Sequence, residues 1–429
     1  MHIRRLTIRN IRAISEFELS LKDDECAGWH VLLGENGSGK STCVRALATL
    51  LMGSVNAHAS RQDWSNWLRD GAPTGNVSAT IKQHSQRDRW VGQGNTASGL
   101  IHPRADISAN GESTGSNGPP TTKISFTGRH TRRSIWGEGA GWFSASFGPF
   151  RRFLGGDPDV DKLYYSHPRL APHLSALGEH VALGVSLRWL RELQTRALEH
   201  EYDAGPTRDA VVNFINGSEL LPYDARIEQV MSTRITMVDG QGAHVAIEEM
   251  SDGYRSILSM TLELLRLMSH IYGDPLASSI GDDGTVRLPG VVSIDEVDAH
   301  LHPQWQARIG EWFVRRFPQT QFFVTTHSPI ICRAATSVWK LPPPGSEEGF
   351  HRVTGSNLRR LVDGNILDAY STDLFGQGTS RSTESRRKLS RLAELSQKQL
   401  HEDLSVEEQT ELISLQSTFP SAPTGTTDG

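Results

Sequence analysis

Apolar and polar residues alternate near the start of the chain, which is the pattern of half-buried β-strands. Residues 2–8 and 14–21 carry apolar side chains at intervals of two or three, and the apolar residues of 77–81 are spaced by two. Residues 29–33 instead form a short continuous apolar run, as in a strand that is buried on both faces. These patterns predict an antiparallel N-terminal lobe beside a buried strand.

Helical periodicity dominates the second half of the chain. Residues 181–198 and 254–272 repeat apolar side chains at helical spacing. Two further apolar runs, at 290–294 and 321–325, are separated by a helical pattern at 303–317. Two buried strands separated by a helix predict a βαβ unit and therefore a mostly parallel sheet in an α/β fold.

A glycine-rich stretch of the form Gly-x-x-x-x-Gly-Lys-Ser follows the first apolar run. Its glycines allow backbone N–H groups to surround phosphate oxygens, and the following helix presents the positive end of its dipole there. Lys40 adds a charge for the β- and γ-phosphates, and the Ser41 hydroxyl is a Mg²⁺ ligand. A surface turn is the weaker interpretation because the flanks predict strand and helix. We expect ATP to be bound by Gly34, Asn36, Gly37, Ser38, Gly39, Lys40, Ser41 and Thr42.

Two adjacent acids end the apolar run at 290–294. Asp295 is placed to hold Mg²⁺, and Glu296 to orient and deprotonate the attacking water. A purely structural role is the weaker explanation, because two acids at the end of a buried strand carry a desolvation cost. His327 follows the next apolar run, where it would contact the γ-phosphate or the attacking water.

The long helix at 254–272 begins after Ser251 and Gly253. Free N–H groups at a helix start suit the γ-phosphate of a nucleotide, and an ordinary N-cap is the alternative interpretation. The position just before the two acids favours the nucleotide.

Composition and charge narrow the class of protein. The 429 residues contain 44 Lys and Arg against 49 Asp and Glu, a net charge of -5, which argues against a globally basic nucleic-acid coat. The three cysteines are widely spaced and predict neither a disulfide framework nor a zinc site. Neither a signal peptide nor a membrane helix is indicated, so we expect a cytoplasmic protein that does not contact membranes.

The composition also suggests domain boundaries. Residues 92–121 consist mainly of Gly, Ser, Asn, Thr and Pro and predict a flexible insertion. Lys and Arg concentrate at 380–399, whereas 401–429 contain acids and neither Lys nor Arg, which predicts a helical pair with a disordered end. We expect the N-terminal half of a nucleotide-binding head at 1–150, an inserted helical lobe at 151–222, the C-terminal half at 223–345 and a helical tail at 346–429.

The motifs GENGSGKS, MSDGYR, SIDEVD and TTHSP, in this order, resemble ATPase heads of the ABC class, and more narrowly the SMC, RecF and OLD-like group. The resemblance implies a P-loop NTPase of ABC-ATPase type that uses ATP and Mg²⁺. It also implies a head-to-head homodimer, or a higher homo-oligomer, in which Ser251 and Gly253 complete the site of the opposite subunit. It assigns phosphate and Mg²⁺ binding to Lys40 and Ser41, the Walker B acid to Asp295, the catalytic base to Glu296, the switch histidine to His327 and the D-loop to Asp298.

Two features depart from that group. The signature reads Ser-Asp-Gly-Tyr in place of Ser-Gly-Gly-Gln, a variant that resembles the bacterial OLD-type group. The glutamine loop has no clear counterpart: Gln86 and Gln93 border the insertion, and residues 146–149 occupy a place where the two lobes could join.

The run HLHPQWQ at 300–306 and the tail around 373–376 further resemble ATPases of bacterial anti-phage systems, such as Septu and retron-associated ATPases. This resemblance implies regulation of a separate nuclease of HNH type or another effector. His300 and His302 lack a suitably spaced ligand partner, so a role at a helix start is favoured over a metal site. The alternative function is a DNA-repair or chromosome-structure clamp that binds nucleic acid through Arg151, Arg152, Arg188, Arg191 and Arg196. A solvated surface is the favoured interpretation of these arginines. A transporter subunit is disfavoured by the variant signature.

Overall fold

The computed structural model describes residues 1–91, 99–109, 122–137, 141–154, 157, 162–163, 166–178, 183–273, 276–346, 348–365, 369–370, 372–375 and 383–419. The chain forms two compact units, Met1–Asp363 and Gly364–Gly429.

An antiparallel sheet forms the N-terminal lobe of the first unit, as the alternating pattern predicts. Its strands are ordered β2-β1-β4-β6-β7, and β5 also pairs with β4. Every second residue of β4 is buried from Gly75 to Ile81, because one face of the sheet covers the core. The strands are β1 (His2–Ile11), β2 (Ile14–Ser20), β4 (Thr74–Lys82), β5 (Leu100–Ile101), β6 (Arg104–Ala109) and β7 (Thr122–Thr127).

The prediction of a flexible insertion at 92–121 is wrong for residues 99–109. This segment contains β5 and β6, and Ile101, Ala105 and Ile107 are buried in the core. The spacing of Ala105 and Ile107 is that of a strand with one buried face, and it outweighs the polar composition around it. The remainder of the predicted insertion, at 92–98 and 110–121, lies outside the described residues.

A second sheet, mostly parallel, carries the strands that the continuous apolar runs predict. Its order is β15-β14-β3-β13-β12-β8, and β15 is antiparallel to β14. Ile294 pairs with Val324 on one side and Phe147 on the other, so the carboxyl ends of three strands lie together. The strands are β3 (Gly28–Leu33), β8 (Ser144–Phe147), β12 (Gly290–Ile294), β13 (Thr320–Thr326), β14 (Ser337–Lys340) and β15 (His351–Arg352).

Helices and a smaller sheet complete the first unit. The first helix has non-helical backbone angles at Gly53 and continues to Ala59. A Cβ on Gly53 would lie 2.6 Å from the Trp136 ring, so glycine permits this close packing. The helices are α1 (Lys40–Ala59), α2 (Leu174–Leu177), α3 (Gly184–Leu198), α4 (Ala204–Gly217), α5 (Asp252–Tyr272), α6 (Leu276–Ser279), α7 (Pro303–Arg316) and α8 (Gly355–Val362). The smaller antiparallel sheet consists of β9 (Arg226–Val230), β10 (Ile235–Val238) and β11 (His244–Ala246).

The first unit extends beyond residue 346, where the helical tail was expected to begin. Strand β15 and helix α8 belong to it, and Val353 and Leu361 are buried. In the second unit, α9 (Thr383–Gln399) and α10 (Val406–Thr418) form the predicted helical pair. Leu395, Leu412 and Leu415 make its small core, and a capping box starts α10. Among the described helices, none has the length and apolarity needed to cross a bilayer.

Candidate active site

The loop between β3 and α1 has the backbone conformation of a phosphate-binding loop. Gly37 and Gly39 have φ angles of +80° and +98°, which side chains rarely permit. A Cβ on Gly39 would also lie 2.9 Å from Ile14 Cγ1. Gly39 precedes α1 and offers no side-chain cap, so the first N–H groups of the helix are available to an anion.

Lys40 lies under this loop and close to the acids. Its side chain is buried, with 5% of the residue exposed, and Nζ donates to the carbonyl of Glu35 at 2.9 Å. Burial lowers the pKa of the Lys40 ammonium group, and three nearby carboxylates oppose that change: Asp295, Glu296 and Asp298. In the same loop the buried Ser38 Oγ has no hydrogen-bond partner in the described part of the chain, so this hydroxyl is suited to a phosphate oxygen.

Thr325 fixes the two acids that follow β12. Its hydroxyl donates to Asp295 Oδ1 at 2.6 Å and accepts from the Glu296 N–H at 2.8 Å. Asp295 is 3% exposed, so the bond to Thr325 offsets part of the cost of burying a carboxylate. The motif TTHSP contains Thr325, yet the sequence alone did not assign it a role.

Thr326 makes the equivalent contact to Asp298, the residue predicted for the D-loop. Its hydroxyl donates to Asp298 Oδ1 at 2.6 Å and accepts from the Ser328 N–H at 2.9 Å. His327 lies between Thr326 and Ser328 in the chain. Burial and then the charge of Lys40 lower the pKa of the His327 imidazole, so the neutral form is favoured at pH 7.

Arg151, which the sequence assigned to nucleic-acid contact, is instead buried at the carboxyl end of β8. Only 4% of the residue is exposed, and that prediction is wrong because the guanidinium faces the protein interior. Burial lowers the pKa of Arg151 to about 10, and the charges of the nearby acids oppose the change. Its hydrogen-bond acceptors are Ser256 Oγ at 3.0 Å and the carbonyls of Gly148 at 3.0 Å, Asp295 at 2.8 Å, Glu296 at 2.9 Å and Val297 at 3.5 Å.

Two of the other arginines assigned to nucleic-acid binding form ion pairs with acids of the same chain. Arg196 contacts Glu201 at 2.7 Å, and Arg191 lies 3.7 Å from Glu248. These contacts neutralise part of the proposed basic surface, so the structure does not favour the DNA-clamp alternative.

Ser251 and Gly253, the residues predicted for the signature, lie at the start of α5. Ser251 is exposed and its side chain makes no capping hydrogen bond, so the ordinary N-cap does not account for it. A Cβ on Gly253 would lie 3.0 Å from the His300 carbonyl and 3.1 Å from the Trp305 ring. In the described part of the chain, no hydrogen bond joins Ser251 or Gly253 to the phosphate loop. The other predicted site residues follow β3, β12 and β13, so they lie at the carboxyl edge of the parallel sheet.

Comparison with known protein families identifies the chain. Residues 109–333 match the family described as "AAA domain, putative AbiEii toxin, Type IV TA system", and residues 1–88 match an "AAA ATPase domain". The first of these matches covers more than half of the chain, so the chain belongs to that AAA family.

The chain matches well under half of the length of each of the curated relatives described below. The "Septu protein PtuA" of Bacillus mycoides (strain KBAB4) is 24% identical over 344 residues, which is 77% of this chain and 39% of the relative. The "Retron Ec83 probable ATPase" of Escherichia coli is 34% identical over 136 residues, which is 31% of this chain and 22% of the relative. A crystal structure of an "SmcHead bound to the C-winged helix domain of ScpA" aligns with a TM-score of 0.49 and 15% identity, over 82% of this chain and 98% of that one.

The histidines at 300 and 302 have structural positions in this AAA protein. His302 caps α7, and its Nδ1 accepts from the Gln304 N–H at 3.3 Å. His300 is exposed with a φ of +66°. Within the described residues, no group of three or more His, Cys, Asp or Glu side chains could hold a metal ion. The capping bond from the Gln304 N–H gives His302 the role at a helix start that the sequence predicted.

The strand next to β12 ends where a glutamine loop would be expected. β8 is followed by Gly148, Pro149, Phe150 and Arg151, so this turn contains no glutamine. Gln86 is exposed, and Gln93 lies outside the described residues. Sequence reasoning missed Arg151 as part of the site, and the only available signal was its place two residues after the Gly-Pro turn.

Proposed function

We propose that this chain is a Mg²⁺-dependent ATPase that hydrolyses ATP to ADP and phosphate. The observation that carries the proposal is the meeting of Lys40, Asp295 and Glu296 at one sheet edge, beside a phosphate loop. Membership of an AAA family supports the same activity. His327 adds a fourth group, since the charges of Lys40 and the acids act on it.

The residues present fit both ATP and Mg²⁺. The positive φ of Gly37 and Gly39 and the partnerless Ser38 hydroxyl suit phosphate oxygens. Mg²⁺ takes oxygen ligands and usually retains waters beside one or two carboxylates, so Ser41 and Asp295 would suffice to hold it with the phosphates. When bound, Mg²⁺ would neutralise charge on the phosphates during transfer.

Each side chain would then have a separate task. Lys40 would attract the β- and γ-phosphates. Glu296 would accept a proton from the water while the oxygen of that water attacks the γ-phosphorus and the bond between the γ-phosphorus and ADP breaks. The neutral His327 would accept or donate a hydrogen bond at the γ-phosphate or the attacking water.

We extend the proposal to a head-to-head homodimer, or a higher homo-oligomer, with ATP between the heads. Ser251 is exposed at the start of α5 and is not bonded to the phosphate loop of its own chain, which supports a role toward the site of a second subunit. The N–H groups at the start of that helix would then complete the phosphate site in trans.

The biological role that we propose is that of a cytoplasmic ATPase in an anti-phage defence system. The sequence resemblance and the names of the relatives, a Septu protein and a retron ATPase, support this assignment. The ATP-driven change between open and closed heads would regulate a separate partner, either a nuclease of HNH type or another effector.

Two variants test the activity and the dimer together. Glu296→Gln should retain ATP but not hydrolyse it, so it should run as a dimer in size-exclusion chromatography with ATP and Mg²⁺. Lys40→Ala should lose ATP binding and remain at the size of the nucleotide-free protein. Wild-type phosphate release provides the activity reference. Identical elution of both variants with ATP would contradict the sandwiched dimer, and absence of phosphate release by the wild type would contradict the ATPase.

A further inference from the structure

Arg151 connects two parts of the first unit that are far apart in the chain. Its Nη1 and Nη2 donate to the carbonyls of Asp295 and Glu296 at 2.8 and 2.9 Å. Its Nε donates to Ser256 Oγ at 3.0 Å, and Ser256 lies in the second turn of α5, the helix that begins after Ser251. One buried side chain therefore bonds to both the loop after β12 and the signature helix.

The backbone of Glu296 is held from both sides. Its φ is +45°, a left-handed conformation that non-glycine residues keep only where surrounding contacts enforce it. The Glu296 N–H donates to Thr325 Oγ1 at 2.8 Å, and the Glu296 carbonyl accepts from Arg151. Loss of either contact would leave the strained residue free to rotate, and its carboxylate would move with it.

The start of α5 also packs against the segment that follows these acids. Gly253 approaches the His300 carbonyl, and the Tyr254 ring packs edge-on against Trp305 with centroids 5.0 Å apart. A shift of the loop after β12 would therefore also displace the first turn of α5. Arg151 adds hydrogen bonds to this packing, because it bonds both to Ser256 in α5 and to the carbonyls of Asp295 and Glu296.

We propose that Arg151 is a positioning residue that holds Glu296 in its left-handed conformation and couples that conformation to the signature helix through Ser256. The role in hydrolysis rests on the proposed ATPase function. Arg151 acts through the backbone of Glu296 and not by contact with substrate. Lysine cannot replace it, because only the planar guanidinium offers N–H donors in several fixed directions at once.

Steady-state kinetics test the effect on catalysis. Arg151→Lys should lower kcat by roughly 10- to 100-fold, the effect of losing one or two hydrogen bonds that orient a catalytic group, and should change KM by less than about threefold. Ser256→Ala should lower kcat by a smaller factor and have no further effect in the Arg151→Lys background, since both changes break the same connection. Arg129→Lys, at an exposed arginine, is the matched control. Unchanged kcat in Arg151→Lys, or fully multiplicative effects in the double variant, would overturn the coupling.

Hydrogen exchange tests the coupling without requiring ATPase activity. In nucleotide-free protein, Arg151→Lys should increase amide exchange in peptides covering 295–301 and 252–256 together, while β3 and β13 stay protected. Ser256→Ala should loosen the first turns of α5 and leave the contacts of Arg151 to the carbonyls in place. For Arg151→Lys, exchange that rises in neither segment, or in only one, would refute the coupling even if wild-type protein hydrolyses ATP. A joint rise in a protein that releases no phosphate would retain the coupling and reject the ATPase proposal.

Discussion

Replacing Thr325 with valine removes one hydroxyl from the junction of two loops while keeping the shape of the side chain. The hydroxyl donates to Asp295 and accepts from the Glu296 N–H, and Thr325 is fully buried. Losing the bond to a carboxylate costs about 1.5–3 kcal/mol, and leaving a buried N–H without a partner costs about 1–3 kcal/mol. Because both losses arise from one group and the surroundings relax, we expect a net loss of about 2–4 kcal/mol in the free energy of unfolding.

Calorimetry converts this loss into a temperature. The first unit spans Met1–Asp363, and an unfolding entropy of about 2.1 cal/mol/K per residue gives roughly 0.8 kcal/mol/K for it. The midpoint of its unfolding transition should therefore fall by about 3–5 °C in Thr325→Val.

Thr325→Ser is the matched control, since it keeps the oxygen and removes one methyl group. Its loss should be about 1 kcal/mol, or roughly 1 °C. If the serine variant lost as much stability as the valine variant, the methyl group and not the hydroxyl would be the important part of Thr325, and our account of the two acids would be refuted.

Two further predictions concern the loop and the pH dependence of stability. Gly39→Ala should weaken ATP binding by at least about tenfold, because alanine resists a φ of +98° and its Cβ would meet Ile14. Titration with a fluorescent nucleotide measures the affinity. Gly71→Ala is the control, since Gly71 has a φ of +76° but no atom within 4 Å of an added Cβ. Burial lowers the pKa of His173 to about 3, so between pH 6.5 and 3 the unfolded chain binds a proton that the folded chain does not, and stability falls as pH falls by about 1.4 kcal/mol per unit. His173→Asn should reduce the pH slope of unfolding by one proton, and an unchanged slope would show that another group is responsible.

Much of the architecture follows from local pattern. The continuous apolar runs predicted β3, β12 and β13 because a strand covered on both faces has no polar side to expose. Once the sheet is parallel, the carboxyl ends of these strands must lie at one edge. The approach of Lys40 to Asp295 and His327 is therefore a consequence of topology, although the roles of these residues in catalysis stay predictions.

The unpredicted parts depend on contacts between distant residues. An arginine in a loop normally indicates a solvated surface. Arg151 differs because Ser256 and the carbonyl of Glu296, both more than a hundred residues away, accept its hydrogen bonds. The left-handed backbone of Glu296 likewise has no local signal, since it is held by Thr325 and Arg151 and not by its neighbours in the chain. Strands β5 and β6 were missed because they are short and flanked by Gly- and Ser-rich sequence.

The distribution of charge around β12 explains why this edge of the sheet suits a cation and a phosphate together. The same three acids, Asp295, Glu296 and Asp298, act on both Lys40 and Arg151. Arg151 nevertheless gives its hydrogen bonds to carbonyls and to a serine hydroxyl, and Lys40 gives one to the Glu35 carbonyl. The carboxylates are thus attracted by the two cations at a distance without being paired by them. Three negative charges against two positive ones leave a deficit of positive charge, and phosphates would increase it. A bound divalent cation would offset part of that deficit, which is the electrostatic reason for expecting nucleotide and Mg²⁺ to bind here together.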